Sequence, residues 1–221
     1  NNGLTDFKDI LGYSVQAEGG VSVLEGIRQF LDGQAEVVYA EGGRITRDGG
    51  GWQSWWRDAV QLPDPAEEAT RKAEATALAQ TADVAILVLG ENEAVCREGW
   101  SREHLGDRDS LDLPGGQETL LQPVAATGTP VVLLLINGRP LSIQWAAEHV
   151  PAIVECWYVG QAGGTAVAEM LFGVINPGGK LPITFPRSVG QLPAFYNHKP
   201  SARRGYLFHS HRPLFPFGHG L

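Results

Sequence analysis

Three short apolar runs constrain this chain more than any other feature: Val84–Leu89, Val131–Ile136 and Ala152–Trp157. The first two are continuous rather than alternating and rich in branched side chains; the third holds one polar residue, Glu155. Such runs predict strands buried on both faces, the pattern of a parallel sheet covered by helices. The segments between them carry helical signals. Val21–Leu31 places Val23, Leu24, Ile27, Phe30 and Leu31 at helical spacing, with Ser22 as N-cap and Glu25 at the capping-box position. Pro65–Thr81 is alanine-rich with proline in its first turn. Gly116–Thr127 predicts a helix ended by Gly128, Leu141–Glu148 a short helical segment, and Gly163–Phe172 a helix closed by Gly173. Alternating strands and helices imply one domain, a three-layer α/β sandwich around a mostly parallel sheet.

The remaining segments are less regular. Asn1–Gly20 is polar and glycine-dotted, with an apolar pattern only over Asp6–Leu11, and reads as loop. Glu36–Ala40 predicts a short strand. Arg44–Asp64 is glycine-rich, contains Trp52, Trp55 and Trp56, and reads as a surface insertion. Those tryptophans suit either a sugar face or another domain, or simple packing of the loop. Lys180–Phe185 is strand-like, but Pro182 fits an edge better than the sheet centre. From Pro186 onward the chain reads as loop.

Composition narrows the function classes. The 221 residues are 43% apolar and 19% charged, enough for one substantial core in a soluble domain. The net charge of -8 argues against a nucleic-acid partner, which would favour a basic face. No apolar run approaches the roughly 20 residues of a membrane span, and no signal-peptide pattern opens the chain. Cys96 and Cys156 are the 2 cysteines, read as unpaired and partly buried thiols near the carboxyl ends of strands.

The densest chemistry follows the Val84 strand, where a parallel sheet presents its ligand-facing loops. Glu91, Glu93, Arg97, Glu98, Arg102, Glu103, His104, Asp107, Arg108 and Asp109 crowd one loop around Trp100. This composition suits a polar-substrate site or, equally, a solvated loop. Gly160, Gly163 and Gly164 sit at a strand-to-helix turn that can present N–H groups to a phosphate. The spacing matches neither the dinucleotide fingerprint nor a P-loop, so tight packing of the helix on the sheet is the better reading. No Gly-x-Ser-x-Gly elbow is present. His198, His209, His211 and His219 form no metal-ligand spacing. No metal and no organic cofactor are implied.

Several blocks together resemble glycoside hydrolase family 3, the β-glucosidase family. They are VSVLEGIR, VAILVLGENE, Arg97-Glu98-Gly99-Trp100, GDRDSLDLPG, TPVVLLLINGRPL, the long run Ala152–Pro193, and PLFPFGHG. The resemblance covers about Val21–Leu221 and points to the family's second domain, the α/β sandwich that follows a TIM-like barrel. It implies a retaining, exo-acting glycosidase, in which two carboxyl groups roughly 5–5.5 Å apart act as nucleophile and general acid/base. The nucleophile would be an aspartate on the barrel, outside these residues.

Glu98 matches the position of the family's acid/base glutamate, with Glu93 and Glu103 as alternatives. Arg97, Trp100 and Arg102 would line the substrate, Trp100 as an apolar platform. An ion pair between Glu98 and Arg97 or Arg102 is the competing structural role. Asp107, Arg108 and Asp109 look structural, pinning the loop through carboxylate–guanidinium pairs.

The resemblance implies a β-linked oligosaccharide or glucoside as substrate, the barrel domain as partner, and a periplasmic or secreted location. It leaves a homodimer open. The family's second domain opens with a strand of the type VAVIGP, which this chain lacks. Its sheet is therefore expected to miss a member, supplied by another chain or by upstream sequence. At the other end, many relatives continue into a fibronectin-like domain. The isolated chain is accordingly expected to hydrolyse nothing. The reading from another class is a non-catalytic α/β module that binds sugar or scaffolds its neighbour.

Overall fold

The computed structural model describes residues 20–47, 60–96, 99, 107–199 and 205–221. Three strands form a parallel sheet in the order β1 (Ala85–Gly90), β2 (Val131–Ile136) and β3 (Ala152–Glu155). Their register pairs Leu87 with Leu133 and Leu134 with Val154. These strands fall on the apolar runs of the sequence; the central β2 is buried on both faces, while β1 is partly and β3 wholly of intermediate burial. In β2, Leu133 and Leu135 enter one core while Leu134 and Ile136 enter the other, and all four are buried.

Among the described residues, helices cover both faces. On one side lie α1 (Val23–Leu31) and, later in the chain, a helix over Gly163–Leu171; on the other lie α2 (Pro65–Ala79) and a helix over Glu118–Ala126. A four-residue helix, α3 (Glu93–Cys96), follows β1, so Glu118–Ala126 is α4, Gln144–His149 is α5 and Gly163–Leu171 is α6. A 3₁₀ turn spans Val189–Gln191. The result is the expected three-layer α/β sandwich.

The capping signals act as their chemistry suggests. Ser22 Oγ accepts from the Glu25 N–H at 3.2 Å, and the Glu25 carboxylate accepts from the Ser22 N–H at 2.9 Å. These bonds hold the Glu25 carboxyl below its usual pKa. Asp64 caps α2 by accepting from the N–H groups of Ala66 and Glu67, with Pro65 at the first helical position.

The glycine turn before α6 serves packing, against a different neighbour from the one expected. A Cβ on Gly164 would lie 2.0 Å from the Ser22 carbonyl oxygen, and one on Gly26 would lie 2.1 Å from the Gly164 carbonyl oxygen. Both glycines let α1 and α6 approach backbone to backbone, so the contact is helix against helix rather than helix against sheet.

Two strand expectations are corrected. Residues 36–40 carry no sheet pairing, and Val38 and Tyr39 are half exposed. A strand exists through its neighbour, and none of the described residues pairs with this segment. A cavity of about 1130 Å³ lies beside the outer side of β1, lined in part by Val37, Tyr39, Ile86, Val88, Leu120 and Ile27. Lys180–Phe185 likewise forms no strand. Only Phe185 bridges, antiparallel, to Phe215, with Phe185 fully buried against the rings of Trp157 and Phe215.

Candidate functional site

All three strands deliver polar residues at or just past their carboxyl ends: Glu91 after β1, Asn137 after β2 and Glu155 at the end of β3. The turn out of β1 is fixed first. Gly90 has φ 140° and sits so close to β2 that a Cβ would lie 2.0 Å from the Ile136 carbonyl oxygen. Gln117, from the start of α4, accepts from the Gly90 N–H at 2.8 Å and donates to its carbonyl at 2.6 Å. The neighbouring Glu91 N–H donates to the Ile136 carbonyl at 2.9 Å.

Glu91 then turns its side chain inward, where it has no exposed surface. One carboxylate oxygen pairs with Arg108, whose other Nη donates to the Asp112 carbonyl. The second oxygen faces Arg139 Nε at 3.5 Å, and Arg139 Nη2 donates to the Cys96 carbonyl. Burial pushes the Glu91 carboxyl above its usual pKa, while Arg139 and Arg108 pull against that shift. Arg108 therefore pins the returning end of the loop, as its sequence context suggested, and Arg139 pins the outgoing end.

Glu155, the last residue of β3, lies on the other side of Asn137. Its carboxylate accepts from the Trp157 N–H at 3.1 Å and from Asn137 Nδ2 at 3.4 Å. Trp157 takes a left-handed conformation, φ 55°, to make that contact. Burial, opposed only by these neutral donors and reinforced by the charge of Glu91, pushes the Glu155 carboxyl up to about 7. Asn137 Oδ1 is buried without a hydrogen-bond partner.

The two thiols are separate. Cys96 Sγ lies 2.9 Å from Tyr158 Oη, and Cys156 is pushed up to about 12 by burial, which makes it an unreactive thiol.

Of the sequence-singled residues, Arg97, Glu98, Trp100, Arg102, Glu103 and His104 lie outside the described residues, as do Trp52, Trp55 and Trp56. Glu93 opens α3. The structure thus describes the frame that holds both ends of the loop. Of the frame residues, Glu91 stood among the charged residues singled out after the first strand, while Arg139, Asn137 and Glu155 did not. Signals for these three were nonetheless there: an acid ending an apolar run, and Asn-Gly-Arg-Pro at the exit of β2.

Comparison with known proteins decides the family. Residues 8–221 match the model of the glycosyl hydrolase family 3 C-terminal domain. The chain belongs to glycosyl hydrolase family 3. A β-xylosidase of Formosa agariphila is 39% identical over 219 residues, covering 97% of this chain and 27% of that protein. A periplasmic β-glucosidase of Salmonella typhimurium is 38% identical, covering 97% of this chain and 29% of that protein. The solved structure of a β-glucosidase from Erythrobacter marinus superposes with a TM-score of 0.87 at 44% identity, covering 95% of this chain and 29% of that one. The family 3 domain described here therefore spans under a third of the length of these relatives. Among its described residues no helix is long and apolar enough to cross a membrane, and no three His, Cys, Asp or Glu side chains gather as metal ligands.

Proposed function

We propose that this family 3 domain forms one wall of a retaining, exo-acting β-glycosidase site and donates its general acid/base, Glu98, from the loop after β1. The observation that supports this reading most directly is the double anchoring of that loop. Glu91 holds Arg108 on the returning limb and faces Arg139 of the turn after β2, which donates to the Cys96 carbonyl on the outgoing limb. A solvated loop needs no buried counter-ion shared between its two ends. Substrate specificity is that of a terminal β-linked glucoside or related sugar, in keeping with the β-glucosidases and β-xylosidases it resembles. Arg97, Trp100 and Arg102 contact the substrate from the same loop. The nucleophile comes from a barrel domain outside these residues, and the periplasmic relative supports an extracytoplasmic location.

In this mechanism Glu98 protonates the glycosidic oxygen as the bond to the leaving group breaks, then takes a proton from the attacking water. Removing that proton source hurts most when the leaving group is a poor one. The test compares wild type with Glu98→Gln in the full natural polypeptide, using aryl β-glucosides of graded leaving-group acidity. Expected is a loss of about 100-fold or more on phenyl β-glucoside, a much smaller loss on the 2,4-dinitrophenyl analogue, and rescue by azide. Wild-type behaviour of Glu98→Gln would transfer the role to another carboxyl and leave this domain as a scaffold. The 221-residue chain by itself is expected to show no turnover.

A further inference from the structure

The charges of this chain are sorted along its length. Every one of its 25 acidic residues precedes Met170, while 6 of the 17 lysines and arginines and 4 of the 6 histidines follow Glu169. A chain of net charge -8 thus carries a 52-residue stretch, 170–221, with no acidic side chain. The described part of that stretch also holds large apolar side chains in water. Leu207 is 93% exposed and Phe208 88%, with Phe195 at 63% and Tyr196 at 67%. Leu192 and Tyr206 are about half exposed.

The backbone beneath these side chains is held in place. Gln191 is buried and ties two limbs together: its side chain accepts from the Arg187 N–H at 2.7 Å and donates to the Ser210 and Arg212 carbonyls at 3.1 and 3.2 Å. Arg187 Nε donates to the same Arg212 carbonyl at 3.1 Å, and Tyr206 Oη donates to the Gly190 carbonyl at 3.0 Å. Tyr196 stacks on Phe217 with ring centroids 4.6 Å apart. Residues 187–199 and 205–217 are therefore joined side by side, with their apolar side chains left in water. A joined set of exposed apolar side chains marks an interaction surface. Aromatic rings with arginine and without acids are the composition of a protein–protein contact. The aliphatic Leu192 and Leu207 favour a protein over a glycan, whose hydroxyls need placed polar partners.

The relatives indicate where such a partner is carried. This domain covers 27% of the Formosa agariphila β-xylosidase and 29% of the Salmonella typhimurium β-glucosidase, so most of each polypeptide lies outside the match. We propose that this face docks on another domain of the same polypeptide, with an apolar centre at Tyr196, Leu207 and Phe208 and a rim where Lys199 and Arg212 meet carboxylates of that domain. The cationic side is supplied here, and complementarity requires the acids opposite. The contact is made within one polypeptide and not between copies. It holds whichever carboxyl is the acid/base, so leaving-group assays on Glu98 variants leave it untouched.

The experiment uses the full natural polypeptide. Hydroxyl-radical labelling read by mass spectrometry measures the access of water to each side chain. The urea-unfolded polypeptide is the open reference, and Phe185, 1% exposed, is the closed one. Tyr196, Leu207 and Phe208 are expected to be oxidised as little as Phe185, in spite of their exposure on this domain. Oxidation near the unfolded level would overturn the proposal. Carbodiimide cross-linking, which joins an amine to a carboxylate in contact with it, then identifies the partner. A mixture of isotopically light and heavy protein separates links within a chain from links between copies. Lys199 is expected to link, within one chain, to an aspartate or glutamate outside residues 1–221. A link between copies, a link confined to residues 1–221, or no link from Lys199 would each overturn the proposal.

Discussion

Two buried glutamates stand on either side of Asn137, and their surroundings differ in one respect. Glu91, after β1, faces two guanidiniums; Glu155, at the end of β3, faces only an amide, a backbone N–H and the charge of Glu91. A buried carboxylate with cationic partners works as a fixed tie, since moving it breaks several bonds at once. One with only neutral donors lies close to losing its charge, and its pKa near 7 says so. The same residue type thus supplies rigidity on the side carrying the β1 loop and proton sensitivity on the other.

The contrast is broken most directly at Glu91. Glu91→Ala leaves Arg108 and Arg139, whose side chains are 16% and 26% exposed, facing each other without a counter-ion. Removing one partner of a buried pair costs about 3–5 kcal/mol. Denaturant unfolding should therefore show a loss of about 3 kcal/mol or more. A loss under about 1 kcal/mol, as for a surface pair, would mean the knot is not a tie.

Glu155 sharpens the contrast through pH. Its carboxyl titrates near 7 in the folded chain and near 4.3 in the unfolded one, so between those values the folded state binds more protons. Stability therefore falls as pH rises across that window, and the penalty is complete above it. Each pKa unit is worth about 1.4 kcal/mol, so Glu155→Gln should gain on the order of 3–4 kcal/mol at pH 8 and almost nothing at pH 4. The neutral amide keeps an acceptor for the Trp157 N–H. An equal effect at both pH values would show that packing, not charge, separates the variants.

How much of this was legible in the sequence follows from what each element depends on. The three strands could be read because burial writes a mostly apolar run into the chain itself, unbroken in β1 and β2 and ended by Glu155 in β3. The helices could be read because Ser22, Glu25 and Pro65 act within a turn of their own positions. Residues 36–40 have strand composition yet no strand, because membership of a sheet belongs to the neighbour as much as to the segment. The strand-like Lys180–Phe185 reduced to one bridge at Phe185, beyond Pro182, for the same reason. Charge density is local, so the loop after β1 could be singled out in the sequence, and of its described residues Glu91 and Arg108 pair with each other. Arg139 was hidden because its contact with Cys96 spans 43 positions, a pairing no local period encodes. Glu155 was marked only by being an acid at the end of an apolar run.

The smallest expected effect lies at the surface and tests whether burial is what separates these carboxylates. Arg71 on α2 gathers three of them: Glu41 at 3.1 Å, Glu67 at 2.8 Å and Glu68 at 2.7 Å. By distance alone these pairs equal or surpass the 3.5 Å contact between Arg139 and Glu91. Glu67, however, has a side chain 64% exposed, so water solvates it with or without the arginine. Exposed helical pairs are worth about 0.3–0.5 kcal/mol, and a carboxylate in a first helical turn adds a comparable amount from the backbone dipole. Glu67→Ala should therefore destabilise the chain by under about 1 kcal/mol, with the effect shrinking as salt is raised. A loss approaching that of Glu91→Ala would mean that contact distance, rather than exclusion of water, governs both places. The distinction drawn between a tie and a decoration would then have to be abandoned.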